Sequence, residues 1–217
     1  MRTTFNAGLL KPWVKTLVLV LCAVPALWFW SAAVTDHLGA NPAEALIRAL
    51  GRWTLRMLCL TLAVTPLRQG LGLSALARWR RGLGLWTCAY ATMHLLAYAW
   101  LDMGLEWDDI AADIVKRPFI TVGMAGLALM LPLAATSFNR AIRWLGAARW
   151  QALHRAVYAV AALAILHFFW MRAGKHHFGE VAVYGAIVGA LMLWRLWFRA
   201  RGGVPGAVDR RTIRVRG

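Results

Sequence analysis

ALHRAVYAVAALAILHFFWM, residues 152–171, holds one fixed charge, Arg155, near its start and is otherwise almost wholly apolar. Its ~20 residues, at ~1.5 Å each in an α-helix, match the ~30 Å hydrocarbon core of a bilayer. Similar runs lie at about 14–34, 48–66, 83–101, 119–136 and 181–198, so six of them fill nearly the whole chain. The pattern predicts an all-α integral membrane protein: a cytoplasmic N-terminus (1–13), a six-transmembrane-helix bundle (14–198) and a basic cytoplasmic tail (199–217). The second run is the least apolar, because it contains Arg52 and Arg56.

Composition excludes the ordinary soluble classes. Of 217 residues, 60% are hydrophobic and only 16% charged, an excess of apolar surface that lipid, not a larger core, must absorb. The 25 Lys and Arg against 9 Asp and Glu would suggest nucleic acid in a soluble chain. Here the basic residues sit in short segments between apolar runs and form no recognition module, so no nucleic-acid partner is expected. Cys22, Cys59 and Cys88 all lie inside apolar runs without C-x-x-C spacing and read as packing residues. The first run is longer than a signal peptide's apolar region and reads as a retained anchor. Pro66 is expected to close the second span and Pro118 to open the fourth, while Pro25 and Pro132 should kink their helices.

The loops set the orientation. Arg2, Lys11 and Lys15, then Arg68, Arg78, Arg80 and Arg81, then Arg140, Arg143 and Arg149, then Arg199, Arg201, Arg210, Arg211, Arg214 and Arg216 occupy alternate connections. The other side holds Asp36, Glu44, Asp102, Glu106, Asp108, Asp109, Asp113 and Glu180, eight of the nine acids. By the positive-inside rule both termini are cytoplasmic and the acidic loops face out.

Three of the six histidines, His94, His154 and His167, fall inside spans, where an ionisable side chain needs a reason. Spans three and five run in the same direction, which puts His94 about 18 Å and His167 about 22 Å from the inner face. Two imidazoles at one depth on different helices suit the axial positions of a b-type haem. The plainer alternative is a hydrogen bond from each histidine to a neighbouring helix. His154 lies 13 residues before His167, roughly 20 Å along a continuous helix and about 140° away in azimuth. A second haem on His154 would want a partner near residues 80 and 81, and both are Arg, so that site stays open. Arg48, Arg52 and Arg56, four apart, make a stripe descending towards mid-membrane, suited to haem propionates or a quinone headgroup or, for the outer ones, to snorkelling. Arg80, Arg81 and Arg155 cluster at the inner face, where they suit an anionic cofactor or donor as well as a topology signal. His37, His176 and His177 read as solvated loop residues. The chain has no G-x-G-x-x-G, Walker A, H-E-x-x-H or G-x-S-x-G, and its loops are too short for a catalytic domain, so bond-breaking chemistry is expected in another polypeptide.

The runs RRGLGLWTCAYATMHLLAY (80–98), KRPFITVGMAGLALMLPLAATS (116–137) and WQALHRAVYAVAALAILHFFW (150–170) resemble the YedZ/MsrQ proteins, within the ferric-reductase-like transmembrane superfamily. The resemblance extends over about residues 10–200. It implies a haem-binding subunit of the bacterial inner membrane that passes electrons to a periplasmic molybdopterin-containing methionine sulfoxide reductase, which repairs oxidised proteins. The family's haem-associated histidines match His94, His154 and His167. The resemblance also implies FMN, and electrons from the quinone pool or a cytosolic flavin reductase. Arg80 and Arg81 stand where the wider superfamily has a fourth histidine, which puts a second haem in doubt. The expectation is an electron conduit entered near His154, Arg80, Arg81 and Arg155 and left through the acidic outer loops. Its competitors are a stand-alone ferric or oxygen reductase core and, in a different class, a transporter or scaffold with structural histidines.

Overall fold

The computed structural model describes residues 8, 11–174, 176 and 178–201, and these residues hold helices and no strand. Arg2 and the tail arginines beyond 201, which bear on the expected orientation and termini, and His177, expected to be a solvated loop residue, lie outside them. The helices are α1 (Pro12–Val34), α2 (Pro42–Leu71), α3 (Arg80–Ala97), α4 (Trp107–Lys116), α5 (Pro118–Ala135), α6 (Asn139–Leu145), α7 (Ala147–His154), α8 (Val157–Ala173) and α9 (Gly179–Ala200). A 3-10 turn, Ser74–Arg78, precedes α3, and a π-helical turn, Tyr98–Asp102, ends it.

Four stretches are long and apolar enough to cross a membrane: α1, α5, α7 with α8 taken as Ala147–Ala173, and α9. The second and third expected spans are helical but fall outside this set, because α2 carries Arg48, Arg52, Arg56 and Arg68 and α3 begins on Arg80 and Arg81. Both instead supply the centre of the bundle. Leu46, Leu50 and Leu58 of α2 and Tyr90 of α3 are almost fully buried, while Leu17, Val20, Leu21, Val24, Leu27 and Trp28 of α1 stand exposed, as lipid-facing residues do.

Two prolines show how the bundle repairs its own backbone. Pro66 does not close α2, which runs on to Leu71 and ends at Gly72 in the left-handed region (φ 70°). A proline lacks the amide that the carbonyl four residues earlier should receive, here that of Leu62. Arg195, 8% exposed on α9, donates one guanidinium nitrogen to Leu62 O and the other to Leu191 O (2.6 Å), so the orphaned carbonyl is satisfied and the helix continues. In α1 a side chain enters the ladder next to Pro25, although the carbonyl that this proline leaves without an amide is that of Leu21. The Tyr90 hydroxyl accepts Ala26 N–H (3.1 Å) and donates to Cys22 O (2.7 Å), the two groups a regular helix would join directly. Tyr90 is fully buried, so Tyr90→Phe removes the bridge between both groups, and thermal unfolding in detergent should show a loss of about 1–3 kcal/mol. An unchanged melting temperature would mean that α1 closes its own ladder.

The fifth expected span is not one continuous helix. α7 ends at His154, Arg155 and Ala156 form a turn, and α8 starts at Val157. The azimuth between His154 and His167 expected for an unbroken helix therefore does not apply. Pro118 does open α5 at its first turn, and Asn41, whose side chain accepts Glu44 N–H (3.1 Å), caps α2 ahead of Pro42.

Candidate functional site

His94 and His167 meet in the interior between two closely packed helix pairs, α2 with α3 and α5 with α8. Their ring centroids are 6.2 Å apart and the ring planes cross at 83°. Each ring hydrogen-bonds through Nδ1 to a backbone carbonyl of its packing partner: His94 to Ile47 O of α2 (2.8 Å), His167 to Phe119 O of α5 (2.6 Å). A carbonyl can only accept, so Nδ1 carries the proton in both rings and the neutral imidazole keeps its lone pair on Nε2. No hydrogen bond to either Nε2 is made among the described residues. Depth matching in the sequence brings these two together; it does not reveal the carbonyls that fix their tautomers.

His154 has a different setting. Its ring stacks on Trp150 (4.0 Å between centroids), and its Nε2 faces Thr136 Oγ1 at 3.1 Å. Thr136 donates its own proton to Pro132 O (2.7 Å), which leaves His154 Nε2–H as the donor in that contact. Trp150 Nε1–H also reaches Thr136 O (2.9 Å), so the histidine belongs to a cluster at the C-terminal end of α5. Phe119 is 17 residues away at the other end of that helix, about 25 Å along its axis. Arg80 and Arg81 are near enough for their charges to act on His154, which puts these three expected residues at one end of the bundle, opposite the His94/His167 pair.

The arginine stripe of α2 divides. Arg48 is ion-paired with Glu44 one turn earlier and already has its carboxylate. Arg56 lies over the Trp53 ring (4.7 Å) and donates from Nε to the Tyr184 hydroxyl of α9 (3.1 Å). Neither Arg52 nor Arg56 has a carboxylate in salt-bridge reach among the described residues. On the acidic side, Asp113 is engaged by Arg117 (2.8 Å) and by the Tyr98 hydroxyl (2.8 Å), whereas Asp102, Glu106, Asp108 and Asp109 are exposed. The sequence reading misses Arg195, although an arginine well inside an apolar run is itself a signal. It misses Tyr184 and Thr136 too, which only the packing of α9 and α7 identifies as partners.

The class of protein that the fold and site define is a helical membrane bundle with two interior histidines presented from different helices, and the comparisons narrow it. A family model described as the ferric reductase like transmembrane component matches residues 50–165. A protein of Polaromonas naphthalenivorans (strain CJ2) named protein-methionine-sulfoxide reductase heme-binding subunit MsrQ is 58% identical over 189 residues, 87% of this chain and 86% of the relative. Proteins of the same name are 49% identical in Ralstonia nicotianae, over 90% of each chain, and 43% identical in Caulobacter vibrioides, over 83% of this chain and 85% of the relative. No solved structure matches. The chain belongs to the MsrQ proteins of the ferric-reductase-like transmembrane family.

Proposed function

We propose that this protein is the haem-carrying electron conduit of a methionine sulfoxide reductase system in the bacterial inner membrane. The observation that carries the reading is the pair His94 and His167, each with Nδ1 bound to a carbonyl and Nε2 uncommitted. An iron bonded to one nitrogen of each ring at about 2 Å, the ordinary metal–imidazole length, brings the ring centroids to roughly 6 Å. The 6.2 Å found here fits that arrangement. Haem b, when bound, supplies one-electron redox chemistry. The chain would supply its surroundings: two ligands of fixed tautomer, an apolar sheath, and Arg52 and Arg56, which have no carboxylate partner among the described residues, for the propionates.

The reading keeps six spans, with α2 and α3 crossing inside the bundle and both termini cytoplasmic. Electrons from quinol or a cytosolic flavin reductase enter at the inner face, where His154, Arg80, Arg81 and Arg155 lie, and reach the His94/His167 centre. They leave past Asp102, Glu106, Asp108 and Asp109 to a periplasmic molybdopterin subunit, which performs the sulfoxide reduction. FMN is implied by the resemblance alone, and no residue is assigned to it here. The test is a reduced-minus-oxidised spectrum of detergent-purified protein with a haem count, followed by reoxidation with the sulfoxide reductase or with ferric chelate. One low-spin b-type haem per chain, oxidised by the reductase subunit and not by the chelate, is expected. A count near two would assign the second haem to His154. Colourless protein would leave only a transporter or scaffold.

A further inference from the structure

The two histidine seats repeat one device. The carbonyl that receives His94 Nδ1 is Ile47 O, and four residues on, facing the same ring, is Gly51; the carbonyl that receives His167 Nδ1 is Phe119 O, and four residues on is Gly123. A Cβ at Gly51 would lie 3.2 Å from His94 Cε1 and 3.3 Å from Nδ1. At Gly123 it would lie 2.8 Å from His167 Nδ1 and 3.0 Å from Cε1, closer than atoms pack. Neither glycine has a positive φ, so backbone conformation does not demand it. Inside a helix each is destabilising relative to Ala, a cost that needs a packing reason. The ring supplies that reason. With no Cβ in the way, the imidazole edge drops onto the helix surface far enough to reach a carbonyl that already serves the helix ladder.

We propose that Gly51 and Gly123 are positioning residues which seat the two imidazoles against α2 and α5 and thereby hold the ring planes close to perpendicular. The proposal rests on the reading of His94 and His167 as haem ligands. Orientation has an electronic consequence. Parallel imidazoles donate into the same iron d orbital and split the d-xz and d-yz pair, whereas perpendicular ones donate into one each and leave the pair nearly degenerate. Near-degeneracy gives a highly anisotropic low-spin ferric resonance in place of an ordinary rhombic one. Hydrogen bonding at Nδ1 also tunes ligand basicity, and with it the reduction potential.

The experiment is electron paramagnetic resonance and a redox titration of the oxidised holoprotein, alongside Gly51→Ala, Gly123→Ala and Gly126→Ala. Gly126 is the control on α5: a Cβ there meets only Leu163 Cβ at an ordinary 3.8 Å. The parent should show the highly anisotropic signal. Gly123→Ala should move both signal and midpoint potential more than Gly51→Ala, in the order of their contact distances, and Gly126→Ala should leave both in place. Haem loss from Gly123→Ala, with a moved signal in Gly51→Ala, supports the same seat. A rhombic parent signal, or glycine variants that superimpose on the parent, overturns the proposal while leaving the ligands standing. A parent without haem overturns the ligand reading, and this one with it.

Discussion

His94→Ala and His167→Ala should each lower the haem content of the purified protein by on the order of tenfold or more, measured by pyridine haemochrome per chain. The expectation follows from how the two rings are built in. Weakening a partner that merely orients a metal ligand already costs ~10–100-fold in affinity, and removing the ligand removes the bond itself. Both rings sit in the bundle interior with Nδ1 spent on a carbonyl, so no rotation of the surviving histidine makes up for the missing one. Each deletion also leaves Ile47 O or Phe119 O without its extra donor, but those carbonyls keep their place in the helix ladder, so the helices should survive. His154→Ala is the matched comparison. It removes a ring that stacks on Trp150 and bonds Thr136, and haem at the His94/His167 centre should remain. Full haem in either of the first two variants would end the ligand assignment; loss of all haem in His154→Ala would move the centre to the inner face.

What the sequence can and cannot reveal follows from how local each determinant is. The six apolar runs are local, and a helix occupies each of their positions. The His94/His167 pairing is legible from depth alone, since 1.5 Å per residue along two spans of the same direction puts the rings at roughly one level. The seats are not legible, because a carbonyl acceptor has no residue identity; only the glycines at 51 and 123 leave a trace, and a helical glycine has several explanations. The break after His154 is equally silent, as Arg155 and Ala156 carry none of the Gly or Pro signals that mark turns. The Arg48, Arg52 and Arg56 stripe is visible as a stripe, yet its division depends on Glu44 for Arg48, within one turn, and on Tyr184 for Arg56, 128 residues away. Pro66 is the sharpest case. Locally it predicts a helix end, and only the distant Arg195 reverses that outcome.

Arg195→Leu should destabilise the bundle by about 1–3 kcal/mol, because it leaves the Leu62 carbonyl, which Pro66 deprives of an amide, with no donor in an apolar interior. The loss is read as a lower midpoint of thermal unfolding in detergent. Arg195 also lies over the Tyr158 ring (5.7 Å), so the single variant alone does not isolate the carbonyl. A double-mutant cycle does. Pro66→Ala restores a backbone N–H at the position that should serve Leu62 O, and in that background the guanidinium is no longer the carbonyl's sole donor. Arg195→Leu should then cost about 1 kcal/mol less in the Pro66→Ala background than in the parent, within the usual range for groups sharing one hydrogen bond. If the two changes simply add, Arg195 acts through Leu191 O and its packing and not through Leu62 O. Coupling would show that a buried cation in this bundle serves the backbone: it completes α2 through its proline, and α2 is the helix that carries Ile47 and Gly51 to His94.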